Sequence, residues 1–212
     1  MMRKQKGNGQ KGQRGQSFIE LALVLSLLIF MLVGVVEFGY MLNQYITLVE
    51  GTREVARVAS KGEPFVDPAA GDFRVRPDFL ERIAILVDGG VVDTNQILGS
   101  IHPLALDPAI EDDLVISVFS FDGTAVKRFN ENGESSDGWR RHGNRFSRFT
   151  NAEIAQKITI TGYPGGAPNT GAILIEVYYH YNQILNLLQG WTGPIELHAF
   201  SIMPLSAAEP TP

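Results

Sequence analysis

The sequence predicts an α+β protein whose long N-terminal helix crosses a membrane and packs, over its outer half, on a small antiparallel sheet. Three observations carry that expectation. An uncharged apolar run follows a basic head. A helical stripe of apolar residues continues beyond the run without a break. The rest of the chain shows strand-like alternation between turn signals.

The head, residues 1–15 (MMRKQKGNGQKGQRG), carries Arg3, Lys4, Lys6, Lys11 and Arg14 and no acid. Of the 18 basic and 23 acidic residues in the 212-residue chain, 13 basic and all 23 acidic therefore follow, so a head of +5 precedes a body of −10. An acidic body is unsuited to nucleic acid, and none is expected as a partner. With no cysteine, the chain has neither a disulfide framework nor a thiolate metal site, and its fold must rest on packing.

Leu21–Val36 is 16 residues without a charge, about 24 Å of helix, short of the ~30 Å hydrocarbon core. Extension to Leu42 gives 22 residues and about 33 Å, so the span is expected at about 20–42. Glu37 then lies near the far interface, where its carboxylate is expected to snorkel to water, and Tyr40 and Tyr45 suit an interfacial aromatic position. Positive charge ahead of the span places the N-terminus in the cytoplasm and the remainder outside. A secretory signal peptide is the alternative. The run is long for one, and no small-residue cleavage site follows it closely.

The helix continues past the span. In YITLVEGTREVARVAS, Tyr45, Leu48, Val49, Thr52, Val55, Ala56 and Ala59 form an i, i+3, i+4, i+7 stripe. The opposite face offers Glu50 to Arg53 and Glu54 to Arg57 as i, i+3 pairs. One helix is thus expected from about residue 17 to 61, ending at KGEP.

RGQSFIELALVL…GVVEFGYMLNQYITLVEGTREVARVAS resembles the N-terminal region of TadE/TadG-like pseudopilins of the bacterial tight-adherence (Flp-type) pilus. Gly15, Gln16 and Glu20 match a G-Q-x-x-x-E element, and Glu37, Phe38 and Gly39 match an acidic-aromatic-Gly element. Arg53, Glu54, Ala56, Arg57 and Ala59 match an A-R-E-x-A-R-x-A helix, with Thr52 where a small apolar residue is more usual. The resemblance covers roughly residues 13–61. It implies a pilin-like fold and cleavage after Gly15 by a prepilin peptidase, with Gln16 as the first mature residue. The implied partners are that peptidase, other pilins or pseudopilins, the pilus assembly platform and the lipid bilayer.

Residue chemistry agrees with that reading. A charge inside a bilayer costs at least ~2 kcal/mol, so Glu20 needs a partner. Cleavage at Gly15–Gln16 would create an α-amine one helical turn away, on the same chain or a neighbour, making Glu20 a mark of assembly register. Gly15 offers a peptidase unhindered backbone. The alternative leaves Glu20 idle at the headgroups.

The organisation expected is a leader at 1–15, a long helix at 16–61, an exported α+β domain at 62–203 and a disordered tail at 204–212. DFLERIAILVDGG predicts a helix over 78–88, with Leu80, Ile83, Ala84 and Val87 on one face and Gly89 as C-cap. DDLVISVFSFDG predicts a strand with a turn at Asp122–Gly123. KITITGYPGGAPNTGAILIEVYYHY predicts two strands around a Pro/Gly turn, the second placing Ile173, Ile175, Val177 and Tyr179 opposite Leu174, Glu176, Tyr178 and His180. GPIELHAFSIM predicts a last strand, with Ile195, Leu197 and Ala199 alternating against Glu196, His198 and Phe200.

No catalytic motif appears, and neither an enzyme nor a cofactor is expected. His102, His142, His180 and His198 lie in unrelated contexts, although His180 and His198 could face one another on neighbouring strands. IEDD at 110–113 and DGGVVDTN at 88–95 are acidic turns without EF-hand spacing. KRFNENGESSDGWRRHGNRFSRF interleaves Lys127, Arg128, Arg140, Arg141, Arg145 and Arg148 with Phe129, Trp139, Phe146 and Phe149. It reads either as an interaction surface, best fitted to a neighbouring subunit, or as a hairpin insertion whose aromatics cover the core edge. The second is preferred, with ENGESSD answering the charge locally.

The functions in view are a minor pseudopilin of a tight-adherence pilus or related secretion apparatus, a pseudopilin of a type II secretion machine, and a single-pass anchored protein whose outer domain binds a ligand without polymerising. Gln16, where classical pilins usually have Phe, favours the first over the second.

Overall fold

A computed structural model describes residues 13–88, 104–122, 125–160, 171–185 and 193–205. The fold is α+β, as the sequence predicts. Helix α1 (Gln13–Ala59) runs unbroken for 47 residues, about 70 Å. Its outer half buries Leu48, Thr52, Val55, Ala56 and Ala59 with Val49 partly covered, while Tyr45 at the start of the expected stripe stays exposed. Thr52 spends its hydroxyl on the Leu48 carbonyl at 2.7 Å, so a polar residue enters the core already paired. Past the end of the helix, the Gly62 N–H reaches back to the Ala59 carbonyl at 3.1 Å.

Two short antiparallel strands follow, β1 (Phe65–Asp67) and β2 (Asp72–Val75), joined through a 3₁₀ turn at Pro68–Ala70. Asp67 caps that turn from Oδ1 to the Ala70 N–H at 3.1 Å. Helix α2 (Pro77–Asp88) has proline at its first position and buries Phe79, Leu80, Ile83, Ala84 and Val87, the face that the sequence predicts. Gly89, the turn at Asp122–Gly123 and the tail lie wholly or partly outside the described residues.

The main sheet comprises β3 (Asp113–Asp122), β4 (Ala125–Asn130), β5 (Gly133–Glu134), β6 (Trp139–Arg140), β7 (Ala172–Tyr181) and β8 (Ile195–Pro204). Its order is β5-β4-β3-β7-β8, all pairs antiparallel, and β6 shares the edge of β3 with β4. Both faces are covered. On one, Leu114, Ile116, Val118, Ile173, Ile175, Val177, Leu197 and Ala199 pack with α1 and α2. On the other, Phe119, Phe121 and Leu174 pack with Ile154 of helix α3 (Asn151–Ile160).

Helix α3 corrects the expected strand beginning at Lys157, because KITI forms its C-terminal end. At its start, Thr150 and Glu153 close a capping box. The Glu153 carboxylate accepts the Thr150 N–H at 2.8 Å, and the Thr150 hydroxyl accepts the Glu153 N–H at 3.3 Å. A capped start and a buried Ile154 outweigh the β-branched preference of Ile158, Thr159 and Ile160.

Candidate functional site along the N-terminal helix

At the start of α1 the Gly15–Gln16 bond lies in the first turn, where backbone N–H groups have no intrahelical acceptor and fraying is easiest. Gln16 and Glu20 are one turn apart, and the Gln16 side-chain amide donates to Glu20 Oε1 at 3.2 Å. From Phe18 to Leu32 the large apolar side chains are exposed, and no residue of the most apolar stretch is covered by the other described residues. This helix is long and apolar enough to cross a membrane.

Glu37 departs from expectation. It does not snorkel to water; it is 8% exposed and bound by the far end of the chain. Glu37 Oε1 accepts the Tyr181 hydroxyl at 2.6 Å and the Ile184 N–H at 2.8 Å, while Oε2 accepts the Leu185 N–H at 2.9 Å. Three converging donors hold the carboxylate better than partial hydration at an interface would. Burial pushes the Tyr181 hydroxyl up to about 12, and its bond to Glu37 adds to the rise. Phe38 is exposed, and Gly39 has open space where a side chain would be.

Farther along, Arg57 and Glu54 form the expected ion pair, with Nε donating to Oε2 at 2.9 Å. The Arg57 bond holds Glu54 below the usual carboxylate range. Arg53 points outward on the same exposed face.

The Arg/aromatic stretch supplies β4, β5 and β6 to the sheet, and its last part, residues 141–149, forms a strap across the second face. Two acids hold its backbone. Asp113 accepts the N–H groups of Leu114 and His142 at 2.9 Å, Asn144 at 2.7 Å and Arg145 at 2.8 Å. Glu176, fully buried on β7, accepts the Arg148 N–H at 2.9 Å and the Tyr178 hydroxyl at 3.2 Å. Burial raises Tyr178 above its ordinary range, with the Glu176 charge second.

The arginines are answered from distant elements more than from ENGESSD. Arg141 pairs with Glu81 of α2 at 2.5 Å, and Arg145 pairs with Glu111 and Glu196, each at 2.9 Å. Arg148 also pairs with Glu196. Of the nearby acids, Asp137 lies 3.9 Å from Arg140, whose guanidinium stacks 4.3 Å over the Phe146 ring. Trp139 is half-buried against the core. Arg128, read with the other arginines of the stretch, is instead buried and anchors the strap, donating to the Ser136 carbonyl at 3.2 Å and to the Phe149 carbonyl.

His180 and His198 do not face one another. His198 is registered opposite Tyr178, and His180 opposite Glu196. His180 contacts Asp112 through Nδ1 at 2.9 Å, and Asp112 also accepts the backbone N–H groups of His180 and Asp107. The IEDD turn is thus a backbone clamp. Its carboxylates are occupied by N–H donors, which a calcium ion would have to displace. His102 and most of the 88–95 turn lie outside the described residues. Among those described, no group of three or more His, Asp or Glu side chains is placed to hold a metal ion.

The family model described as TadE-like protein matches residues 15–57, about a fifth of the chain. No curated protein and no solved structure matches this chain. The matched segment begins at Gly15 and ends at Arg57, taking in Gln16, Glu20, Glu37, Phe38, Gly39, Arg53 and Glu54. From the first turn of α1 to the Glu54–Arg57 pair, the chain is similar to TadE-like proteins.

Proposed function

We propose that the chain is a minor, non-catalytic pseudopilin of a tight-adherence pilus or related secretion apparatus. A prepilin peptidase cuts it after Gly15. Its N-terminus faces the cytoplasm, and the domain beyond α1 is extracytoplasmic. The observation that carries the reading is the coincidence of the TadE-like match with an apolar helix surface that none of the described residues covers. An uncovered surface of this size needs lipid or other apolar helices.

The Gln16–Glu20 contact supports the assembly role, because it shows the carboxylate reached by a donor one turn toward the cut. Cleavage would add an ammonium, on the Gln16 backbone nitrogen, in the same turn as that neutral side-chain donor. That ammonium or a neighbouring subunit's is the partner that Glu20 needs in lipid. The peptidase, the other pilins or pseudopilins and the assembly platform are the partners that this function requires. The arginines of the strap serve the fold, since acids of the same chain answer them.

The test is N-terminal sequencing of protein recovered from membranes of cells with and without the prepilin peptidase. A start at Gln16 that depends on the peptidase is expected. An intact Met1 in both would leave an anchored protein that never enters a pilus.

A further inference from the structure

We infer that the turn after β7, at Ile184 and Leu185, rests in the outer lipid–water interface and gives the exported domain a second contact with the bilayer. This rests on the reading of α1 as a membrane span. Glu37 fixes the level of the turn by holding the Ile184 and Leu185 N–H groups at 2.8 and 2.9 Å. The turn therefore sits beside the helix at the height of residue 37.

That height falls at the outer edge of the hydrocarbon core or just below it, depending on where the span is drawn. Gln16 to Val36 is 21 residues, about 31 Å, which matches a ~30 Å hydrocarbon core and puts Glu37 at its outer edge. A span drawn over 20–42 puts Glu37 about 7 Å deeper. In both cases the turn meets lipid at or inside the headgroup layer.

The side chains present there suit that place. Ile184 is 58% exposed and Leu185 39% exposed, on a turn whose sequence Asn182–Gln183–Ile184–Leu185 carries no charge. On α1 near that height, Phe38, Tyr40 and Leu42 are also exposed. Glu37 neutralises the polar cost of the arrangement by occupying two backbone donors that lipid would leave unpaired. The occupant is lipid and the contact is apolar, so neutral phosphatidylcholine should suffice and added anionic lipid should change nothing.

The absence of cysteine makes the test direct. Three full-length variants, Ile184→Cys, Leu28→Cys and Phe146→Cys, are labelled with an environment-sensitive fluorophore and reconstituted in phosphatidylcholine vesicles. Spin-labelled lipids carry the quencher at shallow or deep positions in both leaflets. The label at 184 should lose fluorescence to the shallow quencher more than to the deep one. The label at 28 should show the reverse, and the label at 146 should respond to neither.

Quenching at 28 without quenching at 184 overturns the lipid contact and leaves the span intact. A blue-shifted label at 184 that no lipid quencher reaches also overturns it, because protein then covers the turn. No quenching at 28 removes the span itself, and the inference with it.

Discussion

Tyr181 donates its hydroxyl to Glu37 across 2.6 Å, joining the end of β7 to the helix where the apolar run stops. The bond spans 144 residues of sequence and closes the domain onto its own anchor. Because two backbone N–H groups share the acceptor, loss of the carboxylate should cost more than loss of the hydroxyl. Glu37→Ala leaves three donors unpaired at ~1 kcal/mol or more each, about 3 kcal/mol together. Tyr181→Phe removes one bond, about 1 kcal/mol. At ~2–4 °C per kcal/mol for a chain of this size, thermal unfolding in detergent should separate the two clearly. Equal shifts would mean that the backbone donors add nothing.

The buried tyrosines should make the fold sensitive to alkali. An unfolded tyrosine titrates near 10, whereas burial pushes Tyr181 up to about 12 and raises Tyr178 as well. Each folded-state value lies above its unfolded one, so the protonated fold is the stabilised form. That contribution is complete below about pH 10 and is lost as pH rises through about 12. Phenolate absorbance followed through this window should show late titration accompanied by unfolding. Tyr181→Phe should remove one late titration. Ordinary titration of every tyrosine near 10 in the folded protein would show that these hydroxyls are open to water.

Much of the fold was legible because its signals are periodic. The stripe from Leu48 to Ala59 and the alternation of Ile173, Ile175 and Val177 each mark one buried face, and the structure buries both. Strands β1 and β2 were not legible, since three or four residues cannot show a period. Helix α3 was lost to a β-branched end, although Thr150 and Glu153 carry the spacing of a capping box. At the site, Gln16 and Glu20 were readable as i, i+4 neighbours. Glu37 was misread because its partners come from residues 181–185, and two of the three are backbone groups that no side-chain pattern records. The same holds for Asp113, whose partners are backbone N–H groups of the strap.

Because α1 and the sheet share one core, the domain should not stand without the helix. Expressed from Gly62 onward, it loses Leu48, Val55, Ala56 and Ala59, all buried in the main cluster. A buried Val or Leu contributes ~1.5–3 kcal/mol, against a net domain stability of ~5–15 kcal/mol. The truncated domain should be poorly soluble or unfold without cooperativity. A sharp, high-temperature transition by calorimetry would show that the sheet holds without its helix.

Gly15→Ala should block maturation, since a Cβ beside the bond crowds the backbone that a peptidase must grip. At 23.3 kDa for 212 residues, the fifteen-residue leader weighs about 1.6 kDa, a shift visible on a gel. The variant should accumulate at the heavier position in cells whose wild-type protein is cut. Maturation at the wild-type rate would remove Gly15 from any role in processing.

Glu20→Gln separates processing from assembly. The amide is neutral, so the anchored chain should be at least as well accommodated in lipid as the parent. Processing should be unaffected, because the bond cut lies a full turn away at Gly15–Gln16. What is lost is the charge that answers a mature α-amine, and an amide replaces a carboxylate poorly beside an ammonium in a low-dielectric setting. Crosslinking in membranes at matched expression reads that loss. The variant should keep its cut N-terminus yet lose crosslinks to other pilus subunits. Unchanged crosslinks would return Glu20 to an ordinary place at the headgroups, with the Gln16 contact a local one.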